Sequence, residues 1–348
     1  MDNDKSKKSM TDELVDLAAG IERKIVFSDG NDIRLIKALD YFKDHNKSSF
    51  TLIGNESQII EKLNETGIKD RTRFAIFDPA SSDKKIEYGQ IIKSAFEKRG
   101  KEITAQQIEE LLLNNSYIAA IKLKESEADC AVGGSISSTG DLMKAVIHVL
   151  GMAKGKKFLS SSAYVQVPDC EYGIEGKFFM SDPGILPKPT EEQLLDMTLS
   201  TYETAKAFFG DKTVVALLSY STKGSAKSEE IDMIRRVAQT AKQMKPEMVI
   251  DGEMQFDAAI VPDVCIRKAP DSPVMGKANV LIFPDLNAAN IAFKIIQRLA
   301  KANVCGPIVQ GAAKPFNDLS RGCTVEEIIA LTAMALIQRK SMEDDNLL

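Results

Sequence analysis

The stretch KIVFSDGNDIRLIKALDYF, residues 24–42, joins a short apolar run to a segment of helical periodicity. The run KIVF is rich in β-branched and aromatic residues, which favour a buried strand. The segment from Asn31 onward places apolar residues three and four positions apart, as in a helix that packs one face against a core. The stretch therefore predicts a strand followed by a helix, the repeating unit of an α/β fold.

The same alternation extends outward from this stretch. A first helix is expected near residues 11–20. Further strands are predicted at FTLIG (50–54), RFAIFDP (73–79) and DCAVGGS (129–135), with helices over residues 84–124 and at GDLMKAVIHVLG (140–151). Together these elements predict a first α/β domain.

Residues 156–190 differ, because KKFLSSSAYVQVP (156–168) and KFFMSDPGILP (177–187) resemble strands with no intervening helix. A mixed sheet and a domain transition are expected there. Strand and helix then alternate through TVVALLSY (213–220) and NVLIFPD (279–285). The final strand GPIVQG (306–311) and helix (324–338) are too short to form a domain and are expected to return to an earlier one. We therefore predict a first domain of residues 1–155 plus 307–348 and a second of residues 156–306.

Length and charge limit the classes of protein that fit. The 348 residues, 44% of them hydrophobic, are enough for two domains with substantial cores. The net charge of -5 and the lack of a basic run with interleaved aromatics argue against a nucleic-acid-binding protein. With no signal-peptide core and no apolar run of membrane-spanning length, we expect a soluble cytoplasmic protein with no membrane partner.

Cysteine and histidine usage restricts the possible chemistry. The five cysteines show no metal-binding spacing, so reduced and mostly buried thiols are expected. His45 and His148 are the only histidines, which leaves little room for a multi-histidine metal site or for histidine as the general base.

Three strand-to-helix junctions are candidate sites, because ligands in open α/β sheets bind beyond the carboxyl ends of strands. The first is LLSYSTKGSAKSEE, residues 217–230. Its Thr222, Lys223, Gly224 and Ser225 combine hydroxyls, a flexible backbone and a cation before a helix start, which suits a phosphate. An ordinary polar turn with serine caps is the alternative.

The second junction is GGSISSTGDLMK, residues 133–144. It lacks the GxGxxG dinucleotide pattern, as does the rest of the chain, which argues against a nicotinamide-binding site. A tight glycine-rich turn is the favoured interpretation.

The third junction is NDLSRGCTVEEI, residues 317–328. Thr324 and Glu327 have the spacing of a capping box, which is the simplest explanation of Glu327. Ser320 and Arg321 lie just before this cap, where a guanidinium can hold a phosphate through two hydrogen bonds. A carboxylate beside them could serve as a base if burial raised its pKa.

One acidic stretch, DGEMQFDAA at residues 251–259, contains three carboxylates that suggest a metal site, Asp251, Glu253 and Asp257. No further ligand cluster accompanies it. Surface and capping roles are therefore expected for these carboxylates.

Four long motifs, in order, resemble the phosphate acetyltransferase (phosphotransacetylase) family, which belongs with the phosphate butyryltransferases. They are LLSYSTKGSAKS (217–228), IDGEMQFDAAIVPDV (250–264), KAPDSPVMGKANVLIFPDLNAANIAFKIIQRLA (268–300) and GPIVQGAAKPFNDLSRGCTVEEI (306–328). The resemblance is dense over residues 182–338 and continues, more thinly, back to about residue 24.

The resemblance implies an acyltransferase that moves an acetyl group reversibly between coenzyme A and inorganic phosphate, giving acetyl phosphate. It implies two α/β domains of the isocitrate/isopropylmalate dehydrogenase-like type with the site in a cleft between them, and a homodimer. Coenzyme A and acetyl-CoA would be substrates, with no metal and no bound cofactor. The partners would be acetyl-CoA, phosphate and acetyl phosphate.

Residue roles follow from the matching positions. Ser320 corresponds to a hydroxyl at the reacting centre, Arg321 to a guanidinium on the phosphoryl group, and Glu327 to the proposed base. Arg298 matches a second substrate-contacting arginine, and Asn317 lies in the same motif as Ser320.

Two positions depart from the family pattern. Glu327 stands where the family usually has aspartate, and Lys144 replaces an arginine of a T-x-D-x-x-R helix while keeping a charge that attracts phosphate. A further family arginine corresponds to either Lys98 or Arg99.

Three alternatives remain open. A phosphate butyryl- or propionyltransferase differs only in the pocket that selects acyl length. A metal- and nicotinamide-dependent hydroxyacid dehydrogenase could share the fold, although its dinucleotide motif is missing. A ligand-sensing relative without catalytic activity could have drifted at Glu327 and Lys144.

Overall fold

The computed structural model describes residues 8–344 and divides the chain into two compact units. Unit 1 contains residues up to 154 together with those from 312 onward, and unit 2 contains residues 155–311. The chain thus leaves unit 1 once and returns to it for its last strand and helix.

Unit 1 is built on a five-stranded sheet in the order β11-β4-β1-β2-β3, in which every pair of neighbours is parallel. Its strands are β1 (Lys24–Phe27), β2 (Ser49–Ile53), β3 (Phe74–Phe77), β4 (Cys130–Gly133) and β11 (Phe316–Asp318). Its helices are α1 (Met10–Ala18), α2 (Ile33–His45), α3 (Glu56–Glu65), α4 (Lys85–Glu97), α5 (Ala105–Leu112), α6 (Asn115–Lys124), α7 (Thr139–Ala145) and α14 (Val325–Asp344).

The stretch of residues 24–42 forms the predicted strand, β1, and the predicted helix, α2. In β1, Ile25, Val26 and Phe27 are fully or almost fully buried, as expected of a strand with neighbours on both sides. Asp32 begins α2, because its side chain accepts a hydrogen bond from the Arg34 N–H. α14 packs against α1, α2 and β4, and its residues 328–339 are buried.

Unit 2 is built on a mixed six-stranded sheet in the order β10-β5-β6-β9-β7-β8. Its strands are β5 (Ser160–Gln166), β6 (Lys177–Ser181), β7 (Val214–Leu218), β8 (Val249–Met254), β9 (Val280–Ile282) and β10 (Asn303–Gln310). Its helices are α8 (Tyr172–Glu175), α9 (Glu191–Phe209), α10 (Glu229–Met244), α11 (Phe256–Ile260), α12 (Pro262–Lys268) and α13 (Leu286–Leu299). β5 runs antiparallel to both of its neighbours, which confirms the mixed sheet predicted for residues 156–190.

The unit boundary and two strands differ from the sequence-based expectation. β10 pairs with β5 through residues as late as Gln310, so GPIVQG belongs to unit 2 and the chain changes unit at residue 312 rather than 307. β11, which joins unit 1 beside β4, and β8 were not predicted. The sequence pattern of a strand followed by a helix is the same whichever sheet the strand joins. The sheet is determined by the strands with which it pairs, and the local pattern does not reveal these.

The five cysteines are thiols rather than disulfides, and four of the five are buried. Within residues 8–344, no helix combines the length and apolar character that crossing a membrane requires.

Candidate active site

Three loops of unit 1 lie at one edge of its sheet. They follow β1, β4 and β11, which are adjacent parallel strands and therefore end on the same side. Hydrogen bonds join all three: the Asp29 carboxylate accepts from the Gly134 N–H at 2.7 Å, and the Thr139 hydroxyl donates to Asp318 at 2.6 Å. The second and third junctions of the sequence analysis thus form one cluster.

The tight turn Ser320–Cys323 presents the predicted hydroxyl and guanidinium. The Cys323 N–H donates to the Ser320 carbonyl at 2.9 Å, which closes the turn. Both Ser320 and Arg321 are exposed. The Gly322 N–H donates to the Ser320 hydroxyl oxygen at 3.3 Å, so the hydroxyl hydrogen is free to point outward. The turn can therefore offer one neutral donor and one cationic fork to an anion.

Glu327 forms the predicted capping box. Its Oε2 accepts from the Thr324 N–H at 2.9 Å, and its own N–H donates to the Thr324 hydroxyl at 3.2 Å. This confirms the capping interpretation of Glu327. The side chain is half-buried in the first turn of α14, six residues after Arg321 in the sequence.

Two buried carboxylates support the loops from beneath. Asp29 accepts hydrogen bonds from Gly134, Ser135, Ile136 and Ser137 and so fixes the loop after β4. Asp318 accepts from Thr139 through Oδ2, while its buried Oδ1 has no hydrogen-bond partner among the described residues. The pKa of Asp318 is raised to about 6, mainly by burial. The negative charge of nearby Asp29 also raises this pKa, whereas the hydrogen bond from Thr139 lowers it.

Close approach of the loops requires glycine at residue 134. Gly134 has φ +94, and a Cβ there would lie 2.1 Å from Asp318 Oδ1 and 2.7 Å from the Leu319 carbonyl oxygen. Only glycine combines this backbone conformation with the missing Cβ. Within the glycine-rich turn predicted in residues 133–144, the glycine at residue 134 therefore has a packing cause.

We expect Asp318→Asn to remove a pH dependence of stability. The native carboxyl, with its pKa of about 6, retains a proton at pH values where the unfolded chain, near 3.8, has lost it. The protonated carboxyl therefore stabilises the fold fully at pH values below the pKa of the unfolded chain. This stabilisation is lost as the pH rises through the pKa of the folded protein. The loss amounts to about 3 kcal/mol, since each pKa unit is worth about 1.4 kcal/mol.

The measurement is urea unfolding of both proteins at several pH values from 4 to 7.5. The wild-type free energy of unfolding should fall with pH relative to that of the variant. Asp83→Asn, at an exposed site of unit 1, is the control for the substitution itself, and its effect is subtracted at each pH. A pH-independent difference between the wild type and Asp318→Asn would contradict the raised pKa.

Two other predicted residues of unit 1 have different surroundings. Lys144 is exposed in the last turn of α7, with its ammonium 3.8 Å from Asp141. Asn317 is fully buried in β11, and its amide donates to Gln338 of α14 at 2.7 Å. This placement corrects the expectation for Asn317: an enclosed amide bonded to α14 anchors that helix and does not reach a substrate.

The serine-rich junction of unit 2 follows β7 and satisfies its own hydrogen bonds. The Thr222 N–H donates to the Ser225 hydroxyl at 3.0 Å, and the Gly224 N–H donates to Glu253 Oε1 at 2.8 Å. Lys223, exposed and at φ +47, forms an ion pair with Asp251. The backbone donors expected for a phosphate thus face inward, while the Lys223 and Ser225 side chains remain at the surface.

Glu253 closes this loop, contrary to the surface or capping role expected for the carboxylates of residues 251–259. It is fully buried at the end of β8 and also accepts from the Ser221 hydroxyl at 2.9 Å and from Arg235 Nε at 3.2 Å. Burial alone would raise the pKa of Glu253, but these donors and the Gly224 N–H outweigh it and hold the pKa below its usual value. Asp257, half-exposed and bonded to Lys268, does fit a surface role.

Arg298 lies exposed in the last turn of α13 in unit 2. Among residues 8–344, no group of three or more His, Cys, Asp or Glu side chains is arranged to hold a metal ion.

Sequence reasoning missed Arg34. Its guanidinium donates to the carbonyls of Arg321 and Cys323 at 2.8 and 2.9 Å and to the Ser135 carbonyl at 3.1 Å. Nothing local marks this role, because the segment NDIR resembles any capped helix start. Only the parallel packing of β1, β4 and β11 brings residues so distant in sequence together.

Comparison with known proteins identifies relatives along nearly the whole chain. The sequence profile of the family described as phosphate acetyl/butaryl transferase matches residues 9–336. A phosphate acetyltransferase from Thermoanaerobacterium thermosaccharolyticum is 39% identical over 330 residues, covering 95% of this chain and 99% of that protein.

Comparison with solved structures identifies the same family and a shared fold. A phosphotransacetylase from Streptococcus pyogenes superimposes with a TM-score of 0.87 at 32% identity, covering 96% of this chain and 99% of that one. A putative 4-hydroxythreonine-4-phosphate dehydrogenase from Salmonella typhimurium shares the fold alone, with a TM-score of 0.53 at 12% identity over 90% of this chain and 99% of that one. The fold is therefore the dehydrogenase-like α/β fold that the family resemblance implied, and the chain belongs to the phosphate acetyl/butaryl transferase family.

Proposed function

We propose that the chain transfers an acetyl group reversibly between coenzyme A and inorganic phosphate, with acetyl phosphate as the second product. The observation that carries this proposal is the exposed Ser320 hydroxyl beside the exposed Arg321 guanidinium, on a turn fixed at the carboxyl edge of a parallel sheet. Family membership supplies the reaction, and this turn supplies donors that suit an acyl phosphate.

In the direction of thioester formation, a base takes the proton of the coenzyme A thiol. The thiolate sulfur attacks the acetyl carbonyl carbon, forming a tetrahedral oxyanion. The carbon–oxygen bond to phosphate then breaks, and inorganic phosphate leaves. Because both substrates are bound together, no acyl-enzyme intermediate is needed.

Three residues are proposed for this chemistry. Glu327 is the base, and its Oε1 is the oxygen that the capping box does not occupy. Ser320 donates to the developing oxyanion. Arg321 binds the phosphoryl group and neutralises the phosphate as it leaves.

Further contacts to substrate are proposed for exposed cations of both units. Lys144 and Arg298 would attract substrate phosphates, as would Lys223 together with the hydroxyl of the exposed Ser225. The N–H groups of Thr222 and Gly224 are already bonded to Ser225 and Glu253, so these two residues are not proposed as phosphate donors. The further family arginine corresponds to either Lys98 or Arg99. The Arg99 side chain already donates to the His148 carbonyl at 2.5 Å, whereas Lys98 is exposed.

Ser320→Ala should lower kcat about 10²-fold and change the KM for coenzyme A little, since the hydroxyl acts mainly in the transition state. Steady-state rates at varied coenzyme A measure both quantities. Ser320→Thr retains a hydroxyl and is the matched control, which should lose less activity. A change confined to KM would contradict the role.

The acyl group is proposed to be acetyl, with butyryl as the second candidate because the family description covers both. Parallel assays with acetyl-, propionyl- and butyryl-CoA separate these substrates. A higher kcat/KM for butyryl-CoA would overturn the acetyl assignment.

We further propose a cytoplasmic homodimer that requires neither metal nor bound cofactor. Thiolate attack on an acyl phosphate involves no redox step, and the general base and arginine supply the required charge. Ile291, Ile295 and Leu299 form an exposed apolar row on α13 at four-residue spacing, a surface that pairing of two copies would cover. Sedimentation velocity tests this, and a species of only 38.2 kDa would contradict the dimer.

The deciding experiment follows thioester absorbance on mixing acetyl phosphate with coenzyme A in the presence of EDTA. Turnover with inorganic phosphate as the second product is expected. Binding of coenzyme A without turnover would instead identify a ligand-sensing relative.

A further inference from the structure

Arg34 occupies the point where the three loops of the unit 1 site meet. Its side chain is 32% exposed, and it lies in the first turn of α2. Asp32 holds the guanidinium with two hydrogen bonds, from Nε at 3.1 Å and from Nη2 at 2.7 Å. The fork is therefore oriented by its own helix cap before it contacts any other loop.

The remaining donors of Arg34 go to backbone carbonyls of the other two loops. Nη1 donates to the carbonyls of Arg321 and Cys323, and Nη2 donates to the Ser135 carbonyl. Every contact beyond Asp32 is thus to main chain. The guanidinium joins the loop after β4 and the turn after β11 to the loop after β1.

These contacts fix the turn that carries Ser320 and Arg321. The Arg321 carbonyl belongs to the central peptide of the turn, and the Cys323 carbonyl lies at its end. Holding both fixes the plane of the Arg321–Gly322 peptide, which sets the direction in which the Arg321 side chain leaves the backbone. Gly322 provides no side chain to stabilise the turn in any other way.

We propose that Arg34 is a positioning residue, which holds the Ser320–Cys323 turn so that its hydroxyl and guanidinium reach the acyl phosphate in the reactive geometry. The inference rests on the proposed acetyl transfer. A planar fork with five donors can hold two carbonyls of one turn and a third of another, whereas a lysine ammonium cannot span them.

The test compares Arg34→Lys and Arg34→Ala with the wild-type enzyme. Displacement of reacting groups by about 1 Å can cost about 10²-fold, so Arg34→Lys should lower kcat by about 10- to 100-fold while the KM for coenzyme A changes little. For Arg34→Ala, added guanidinium, well below denaturing concentrations, should restore part of the lost kcat. Methylammonium should not.

Hydrogen exchange provides a readout that does not require turnover. Amides of residues 320–324 should exchange faster in Arg34→Lys than in the wild type. Arg71→Lys is the matched control, because Arg71 also donates to a loop carbonyl of unit 1, that of Ile68 at 3.1 Å, in the segment that precedes β3. It should change neither the kinetics nor the exchange of residues 320–324.

The outcomes separate the two proposals. If the wild type shows no acetyl transfer, the proposed function fails. If the wild type is active and Arg34→Lys keeps full kcat with unchanged exchange, positioning by Arg34 is wrong. A loss of kcat that parallels a fall in melting temperature, with no rescue by guanidinium, would also overturn it, because a general packing role explains that result.

Discussion

Replacing Arg321 with glutamine is expected to lower kcat/KM for acetyl phosphate by about 10³-fold. Losing a charge-assisted bidentate contact to a transition-state anion costs about 4 kcal/mol, and each 1.4 kcal/mol is a factor of ten. Both kcat and phosphate affinity should fall, since the guanidinium is proposed to hold the phosphoryl group before and during the reaction. The fold should be unaffected, because Arg321 is exposed and it is its carbonyl, not its side chain, that Arg34 binds.

Initial rates at varied acetyl phosphate and coenzyme A measure the effect. Arg321→Lys keeps the positive charge without the fork and should fall between the wild type and the glutamine variant. If Arg321→Gln changed only the KM for coenzyme A, the guanidinium would be acting on the other substrate.

Glu327→Gln is expected to give a stable but slow enzyme. Glutamine can still accept the Thr324 N–H in a capping box, so the melting temperature should change little. It cannot take the thiol proton, and loss of a general base lowers kcat by about 10²- to 10⁴-fold. Thermal unfolding and kcat, measured on the same preparation, separate the two roles of this side chain.

Glu326→Gln is the matched control. Glu326 is exposed in the same first turn of α14, so its replacement changes the local charge equally without touching the cap. It should retain nearly full activity. If Glu327→Gln were as active as this control, Glu327 would act only as a helix cap.

Sequence patterns predicted much of the fold because they report local preferences. The buried run of β1 and the cap of α14 depend on residues within a few positions of each other. The mixed sheet around β5 was also predictable, since parallel neighbours need a long crossover, and the connection from β5 to β6 is too short for one. The four-residue α8 in this connection was not predicted, and it is too short to serve as a crossover helix.

What the sequence could not predict depends on residues that meet only after folding. Arg34 and Arg321 are 287 positions apart, and only the order of the strands brings them together. Asn317 has a polar side chain in a motif rich in functional groups, yet the short strand β11 encloses it against α14. The unit boundary was misplaced for the same reason, because β10 and β5 pair over about 140 residues of sequence separation.

The loop of residues 221–226 is folded around Glu253, an anion that belongs to the chain itself. A tethered carboxylate acts at an effective concentration of about millimolar or higher, so free phosphate in solution does not readily displace it. The loop therefore supplies its own anionic ligand, and its conformation does not depend on bound substrate. A phosphate that approached this loop would find the Gly224 N–H already bonded to Glu253. To pair with that phosphate, Lys223 would have to give up its ion pair with Asp251.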